Sequence, residues 1–95
     1  LEARAQGWRC EKGQPVTLEV AAYFPLAASL SQRKRALLLG MPHSQRPDAD
    51  NVVKAILDGV QKAGVIHDDA QVADLNVSKR WCRQGEERVE VEITT

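Results

Sequence analysis

The sequence lacks the features that mark membrane, secreted or zinc-bound proteins. No apolar run approaches the ~20 residues of a membrane-spanning helix, and no secretory signal is visible, so neither a membrane nor an export route is expected. The two cysteines, Cys10 and Cys82, lie far apart and form no C-x-x-C pair. That excludes a disulfide scaffold. Two reduced, partly buried thiols in a cytoplasmic protein are expected, with a single Cys10–Cys82 disulfide as the alternative. His43 and His67 stand alone, without the neighbouring Cys or His that zinc needs. No G-x-x-x-x-G-K-[ST] loop is present, which disfavours nucleoside-triphosphate hydrolysis and argues against a nucleotide cofactor. Aromatics are few: Trp8, Tyr23, Phe24 and Trp81. At 95 residues the chain has room for one small domain, residues 1–95, with a modest core, and its 43% apolar share suffices for that.

What is present is an uneven charge distribution on a chain of zero formal net charge. Residues 31–46 carry Arg33, Lys34, Arg35 and Arg46 and no acid; residues 75–85 carry Lys79, Arg80 and Arg83 and no acid. Between them lie Asp48, Asp50, Asp58, Asp68, Asp69 and Asp74, six of the thirteen acids, against Lys54 and Lys62. Ordinary surface charge would explain either feature alone. An acidic segment bracketed by basic ones also suits a cation site acting on a polyanion, where acids hold the metal and bases hold phosphates.

Hydrophobic periodicity predicts the elements. Residues 1–9 read as the tail of a helix, broken by Gly13 and Pro15. From Val16 the chain alternates, with Val16, Leu18, Val20, Ala22 and Phe24 on one face of a half-buried strand that Pro25 ends. Ser31 caps a short helix over 32–39, closed by Gly40. A helix over 48–63 follows, with Val53, Ile56, Leu57 and Val60 as its buried stripe and Gly64 as its stop. Val65 and Ile66 read as a brief extended piece. A strand over about 71–82 places Ala73, Leu75, Val77 and Trp81 on one face. After a Gln84-Gly85 turn, a last strand points Val89, Val91 and Ile93 inward. The fold class is α+β: a small antiparallel or mixed sheet with helices packed on one face.

Asp48 and Asp50 fall at the start of the long helix, where carboxylates accept backbone N–H bonds and meet the positive end of the dipole. Capping accounts for one of them, not two, and not for Asp68-Asp69. Asp50, Lys54 and Asp58 are spaced i, i+4, i+8, which also fits exposed helix ion pairs worth about 0.3–0.5 kcal/mol each. If the chain doubles back after Gly64, Asp68 or Asp69 approaches the helix start and three carboxylates converge. That is costly without protonation, cationic partners or a metal. Oxygen ligands alone point to Mg²⁺, with Mn²⁺ as the alternative. A lysine beside them suits phosphoryl transfer.

The stretch "RPDADNVVKAILDGVQKAGVIHDDAQVADL" closely resembles the pattern of the RusA-type Holliday-junction resolvases, and the upstream "SQRKRALLLG" resembles that family's short basic helix. The likeness covers about residues 14–94. It implies a RusA-like fold and a metal-dependent endodeoxyribonuclease that cuts four-way DNA junctions as a homodimer, by paired symmetric nicks. It places the essential carboxylates on Asp48, Asp50 and Asp69 and the essential lysine on Lys54, with Asn51, Asp58, Asp68 and Gln71 in supporting positions. Arg33, Lys34, Arg35, Arg46, Lys79 and Arg80 are expected to flank the acids and hold DNA phosphates. The family's N-terminal strand and Pro-rich turn are expected to be missing from this chain, which begins within the family's first helix. A DNA-binding or assembly module that keeps the fold without cutting is the alternative. A two-fold dimer would match the approximate two-fold symmetry of a junction.

Overall fold

The computed structural model describes residues 10–95; the helix expected over residues 1–9 lies outside them. Three strands form one mixed sheet: β1 (Val16–Pro25), β2 (Val72–Cys82) and β3 (Arg88–Thr94). Two helices, α1 (Gln32–Leu38) and α2 (Ala49–Lys62), fall between β1 and β2, and a single 3-10 turn, Asp69–Gln71, leads into β2. The strand order is β2-β1-β3, with β1 central, parallel to β2 and antiparallel to β3. A parallel pair needs a crossover connection, and α2 lies within it.

The alternation read in β1 is realised. Val16, Leu18, Val20 and Ala22 are buried on one face, where they meet Val52, Ile56 and Val60 of α2, together with Val65, Ile66 and Cys10. On β3, Val89, Val91 and Ile93 sit opposite Ala22, Val20 and Leu18 and pack against the same core. Cys10 and Cys82 are both free and buried.

Four expectations shift. The stripe of α2 is centred on Val52, Ile56 and Val60; Val53 and Leu57 are only half-buried. At about 100° per residue this turns Lys54 and Asp58 to the outer face and leaves Asp50 at the margin. In β2, Leu75, Val77 and Trp81 stand level with Leu18, Val20 and Phe24 as expected, but Ala73 falls at an irregularity. Between Val16 and Thr17 the register slips by one residue, so Val72 pairs with Val16 and Ala73 is exposed. One slip exchanges the faces, because side chains alternate with period two. Val65 and Ile66 are not extended; they are buried in the turn after α2, where the Val65 N–H donates to Val60 O at 3.1 Å. Finally, α1 buries none of its residues, so α2 alone covers the sheet.

α1 is nonetheless well formed. Ser31 Oγ accepts from the Lys34 N–H at 3.2 Å, and Gly40 follows with φ +77°, a conformation that favours glycine. Residues 40–43 then lie along the outer edge of β2. Gly40 N–H donates to Trp81 O, Trp81 N–H to Met41 O and His43 N–H to Lys79 O, all at 2.9–3.0 Å. This covers half of an edge that would otherwise stay unpaired.

Ile56 is fully buried and Val53 is not. Ile56→Ala should therefore cost about 2–5 kcal/mol in urea denaturation, and Val53→Ala less than about 1.5 kcal/mol. Equal losses would contradict the rotated stripe.

Candidate active site

The acidic segment divides into carboxylates that the fold uses and carboxylates that it leaves uncommitted. At the start of α2, Asp48 occupies the capping position with extended backbone (φ −65°, ψ 152°), yet its side chain makes no capping bond. Its carbonyl instead accepts the Asn51 and Val52 N–H groups, both at 3.1 Å. Asp50 is exposed in the first turn, and both carboxylates stand at the positive end of the helix dipole. Asn51 is exposed beside them. The Asp50–Lys54–Asp58 ion pairs that the spacing also allowed do not form. Asp58 pairs one turn later with Lys62 at 2.9 Å, and among the described residues Lys54 has no ion-pair partner.

The second acidic pair is built differently. Asp68 is the extended residue before the 3-10 turn, and its Oδ1 accepts the Ala70 N–H at 3.0 Å. That bond is the chief reason the Asp68 carboxyl lies below the usual carboxylate range. Gln71 anchors the turn. Its Oε1 accepts the Asp68 N–H at 3.0 Å and the His67 N–H at 2.7 Å. Its Nε2 donates to Glu11 O at 2.9 Å and Gln14 O at 3.0 Å, and reaches Cys10 Sγ at 3.4 Å. Only 7% of Gln71 is exposed, and its bonds are buried or partly buried, so water replaces them poorly. Asp68 is thus a cap and Gln71 a structural tie. Asp69 is exposed beside them.

No group of three or more His, Cys, Asp or Glu side chains is gathered closely enough to hold a metal ion among the described residues. The donor chemistry still fits a hard cation: Asp48, Asp50 and Asp69 offer exposed carboxylate oxygens with no thiolate beside them, and His67, two residues before Asp69, is the one exposed imidazole nearby. Mg²⁺ binds through one or two carboxylates, with water and substrate phosphates completing its shell. The convergence of Asp48, Asp50 and Asp69 expected from the sequence is not seen among the described residues, and a cation would be met here by one or two carboxylates.

The basic residues do not form one surface. Arg33 and Lys34 are exposed on α1, and Arg46 is exposed in the loop before α2. Lys79 and Arg80, adjacent in sequence, point to opposite faces of β2. Lys79 Nζ donates to Gln45 O at 2.6 Å and lies 5.9 Å from the Phe24 ring, so it braces the loop that leads to Asp48. Arg80 stands level with Tyr23 on the uncovered face. The middle of that face is acidic, with Glu19 directly opposite Glu92 and Glu90 nearby. Phosphates would be repelled there.

His43, set aside in the sequence as a lone histidine, has a packing role. It is 8% exposed, stacked on Phe24 at 4.2 Å between centroids and tilted against Trp81 at 4.4 Å. Burial, with the Lys79 charge second, pushes its pKa below the ordinary value of 6.5. No local sequence signal foretold this, because Phe24, His43 and Trp81 come from three separate segments. Gln71 did carry a signal: Asp68-x-x-Gln71 has the spacing of a capping box.

The sequence that builds this α+β arrangement is matched by a known family. The model of the family described as endodeoxyribonuclease RusA matches residues 2–94. The chain belongs to that family. The Bacillus subtilis (strain 168) protein named uncharacterized protein YqaN is 36% identical over 83 residues, covering 83% of this chain and 56% of that protein. Crossover junction endodeoxyribonuclease RusA of Escherichia coli (strain K12) and its namesake from Enterobacteria phage 82 are each 46% identical over 54 residues, 57% of this chain and 44% of theirs. The chain spans about half the length of these curated relatives.

Two measurements probe the scaffold of the site. Gln71→Ala strands buried donors and acceptors, so it should cost about 2–4 kcal/mol in urea denaturation. Gln71→Glu, which keeps the acceptor but cannot donate to Glu11 and Gln14, should not restore the loss; full recovery would show that the donor half is dispensable. For His43 the folded state prefers the neutral ring, so the unfolded chain takes up the proton first as pH falls. Its contribution to stability is present above about pH 6.5 and is lost as pH drops toward the lower folded pKa. Urea midpoints from pH 7.5 down to 5.5 should fall in the wild type and fall less in His43→Phe. Parallel curves would contradict a buried neutral His43.

Proposed function

We propose that this chain is the core of a divalent-metal-dependent endodeoxyribonuclease acting on four-way DNA junctions, with Mg²⁺ as the preferred ion and Mn²⁺ as a substitute. The observation that carries this reading is the sorting of the acidic segment. Asp58 is taken up by Lys62 and Asp68 by its cap, whereas Asp48, Asp50 and Asp69 make no cap or ion pair, and Lys54 is equally uncommitted. Asp74 is likewise exposed and, among the described residues, without an ion pair, so what singles out the three is their place at the start of α2 and on the turn before β2, together with the absence of a partner. The family match supports the reaction class, and the names of the RusA relatives describe crossover-junction endodeoxyribonucleases.

In this reading Asp48, Asp50 and Asp69 supply the oxygen ligands. A divalent ion, when bound, polarises the scissile phosphate and lowers the pKa of a water nucleophile. Lys54, one turn after Asp50 and unpaired, offers positive charge to the phosphorane oxygens or the leaving oxygen. The Asp68 cap and Gln71 fix the backbone of the turn that carries Asp69, and its carboxylate would have to be brought together with those of Asp48 and Asp50 when the ion binds. Arg33, Lys34 and Arg46 contact phosphates without reading bases, since a junction is recognised by shape. Two chains related by a two-fold axis would present equivalent sites to the two strands that must be cut.

Cleavage and gel-shift assays on one labelled four-way junction at fixed salt test the assignment. Asp69→Asn should abolish Mg²⁺-dependent cutting, by at least about 100-fold, while binding stays the same or tightens, because a negative charge facing the DNA is gone. Lys54→Ala should also slow cutting but weaken binding slightly. Wild-type rates in Asp69→Asn would remove Asp69 from the site. Junction binding without metal-dependent cutting by the intact chain would favour the non-catalytic module instead.

A further inference from the structure

Beyond the acidic segment, the described residues enclose a concavity in which arginines meet no acid. It lies past the C-terminal ends of β1 and β2 and has a volume of about 600 Å³. Leu26, which follows β1, is buried at its base, and its N–H donates to Cys82 O at 2.9 Å, tying the two strand ends together. One wall is the inner stripe of α1, in which Gln32, Arg35, Ala36 and Leu39 follow i, i+3, i+4, i+7. The other wall is Arg83 and Gln84, in the turn that carries the chain across the end of β1 to β3.

Among the described residues neither Arg35 nor Arg83 has an ion-pair partner, and no acid lines the cavity. The Nε of Arg35 is shielded from solvent and has no hydrogen-bond acceptor. A shielded guanidinium N–H without an acceptor is unfavourable, and a native protein keeps such a group where a ligand completes it. The guanidinium fork matches a phosphate, to which two arginines can donate from opposite walls. The side-chain amides of Gln32 and Gln84 add donors at the rim. Leu26, Ala36 and Leu39 give an apolar floor that suits a sugar face and would not suit a free, fully hydrated anion.

Position decides which phosphate. Asp69 opens the three-residue 3-10 turn that leads into β2, and Arg83 immediately follows the strand. The eleven residues of β2 span about 35 Å at about 3.3 Å each, close to one turn of B-form duplex, about 34–36 Å. We propose that the Arg35–Arg83 cavity anchors the sugar–phosphate backbone of a duplex junction arm about one helical turn from the phosphate at Asp69. This rests on the junction-cutting reading above and adds to it a second, remote contact that measures arm length.

The test uses the full chain, fluorescence anisotropy and two immobile four-way junctions with arms of about 8 and about 16 base pairs, one shorter and one longer than a helical turn. Arg35→Gln/Arg83→Gln should weaken binding to the long-armed junction by about tenfold and reduce its salt slope by roughly two, one per lost phosphate contact. Binding to the short-armed junction should change less than about twofold, against the same slope rule. Arg83→Gln alone, at an exposed turn residue, should give the same pattern at about half the slope change, and it guards against misfolding caused by the change at half-buried Arg35. Unchanged long-arm affinity in both variants, or equal loss on both junctions, overturns the anchor while leaving the junction reading intact. A change of oligomeric mass in the double variant, read by analytical ultracentrifugation, would overturn it in favour of a contact between chains. Wild-type protein that binds neither junction overturns both readings.

Discussion

Much of the arrangement depends on one buried amide. Gln71 joins the loop at residues 10–14, the His67–Asp68 backbone and the start of β2 through four hydrogen bonds and a contact with the Cys10 thiol. Each end of the side chain is used according to its chemistry. The carbonyl oxygen accepts from two N–H groups of the turn, and the two hydrogens of the amino group go to two carbonyls of the loop. Glutamate could supply only the first half and leucine neither. Because β2 begins at the next residue, this single side chain sets where the edge strand enters the sheet and where Asp69 stands.

The parallel pairing of β1 and β2 distributes the rest. It requires a crossover, and the crossover carries nearly all the chemistry-bearing residues: the basic helix, the loop with His43 and Arg46, the acids of α2 and the Asp68–Asp69 turn. The hydrophobic face of α2 fixes that crossover against β1, with Ile56 and Val60 wholly removed from water. Full burial of such side chains contributes about 1.5–3 kcal/mol each. The polar residues of the segment are then free to serve solvent and ligands. Electrostatics follow the same division. The acidic middle of the uncovered sheet face would repel a polyanion, while α1, the loop before α2 and the turn after β2 offer arginines and lysines.

Aromatic packing links the two ends of this system. Phe24 at the end of β1, Trp81 near the end of β2 and His43 in the connecting loop form one stack, and Lys79 reaches from β2 to the carbonyl of Gln45. The loop that delivers Asp48 is thereby held to the sheet, although it contains two prolines and no regular structure beyond an isolated bridge between Pro42 and Arg80. A neutral imidazole is suited to this place. A charged one would lose hydration and stand near the Lys79 ammonium, both unfavourable.

The sequence by itself determined the elements and the identity of the candidate residues. Alternation in Val16–Phe24, the capping Ser31, the stop at Gly64 and the spacing from Asp48 to Asp69 are local or fixed-interval signals, and local backbone preferences obey them. What only the tertiary structure decided is which face each element turns and which polar groups are consumed. The one-residue slip opposite Val16 exposed Ala73, the packing of Val52 turned Lys54 outward, and Asp58 found Lys62 rather than Lys54. Pairing partners in a sheet and the rotation of a helix about its own axis are set by contacts between residues far apart in the chain. Single-chain periodicity leaves neighbouring choices nearly equal in energy, and only the packed core separates them.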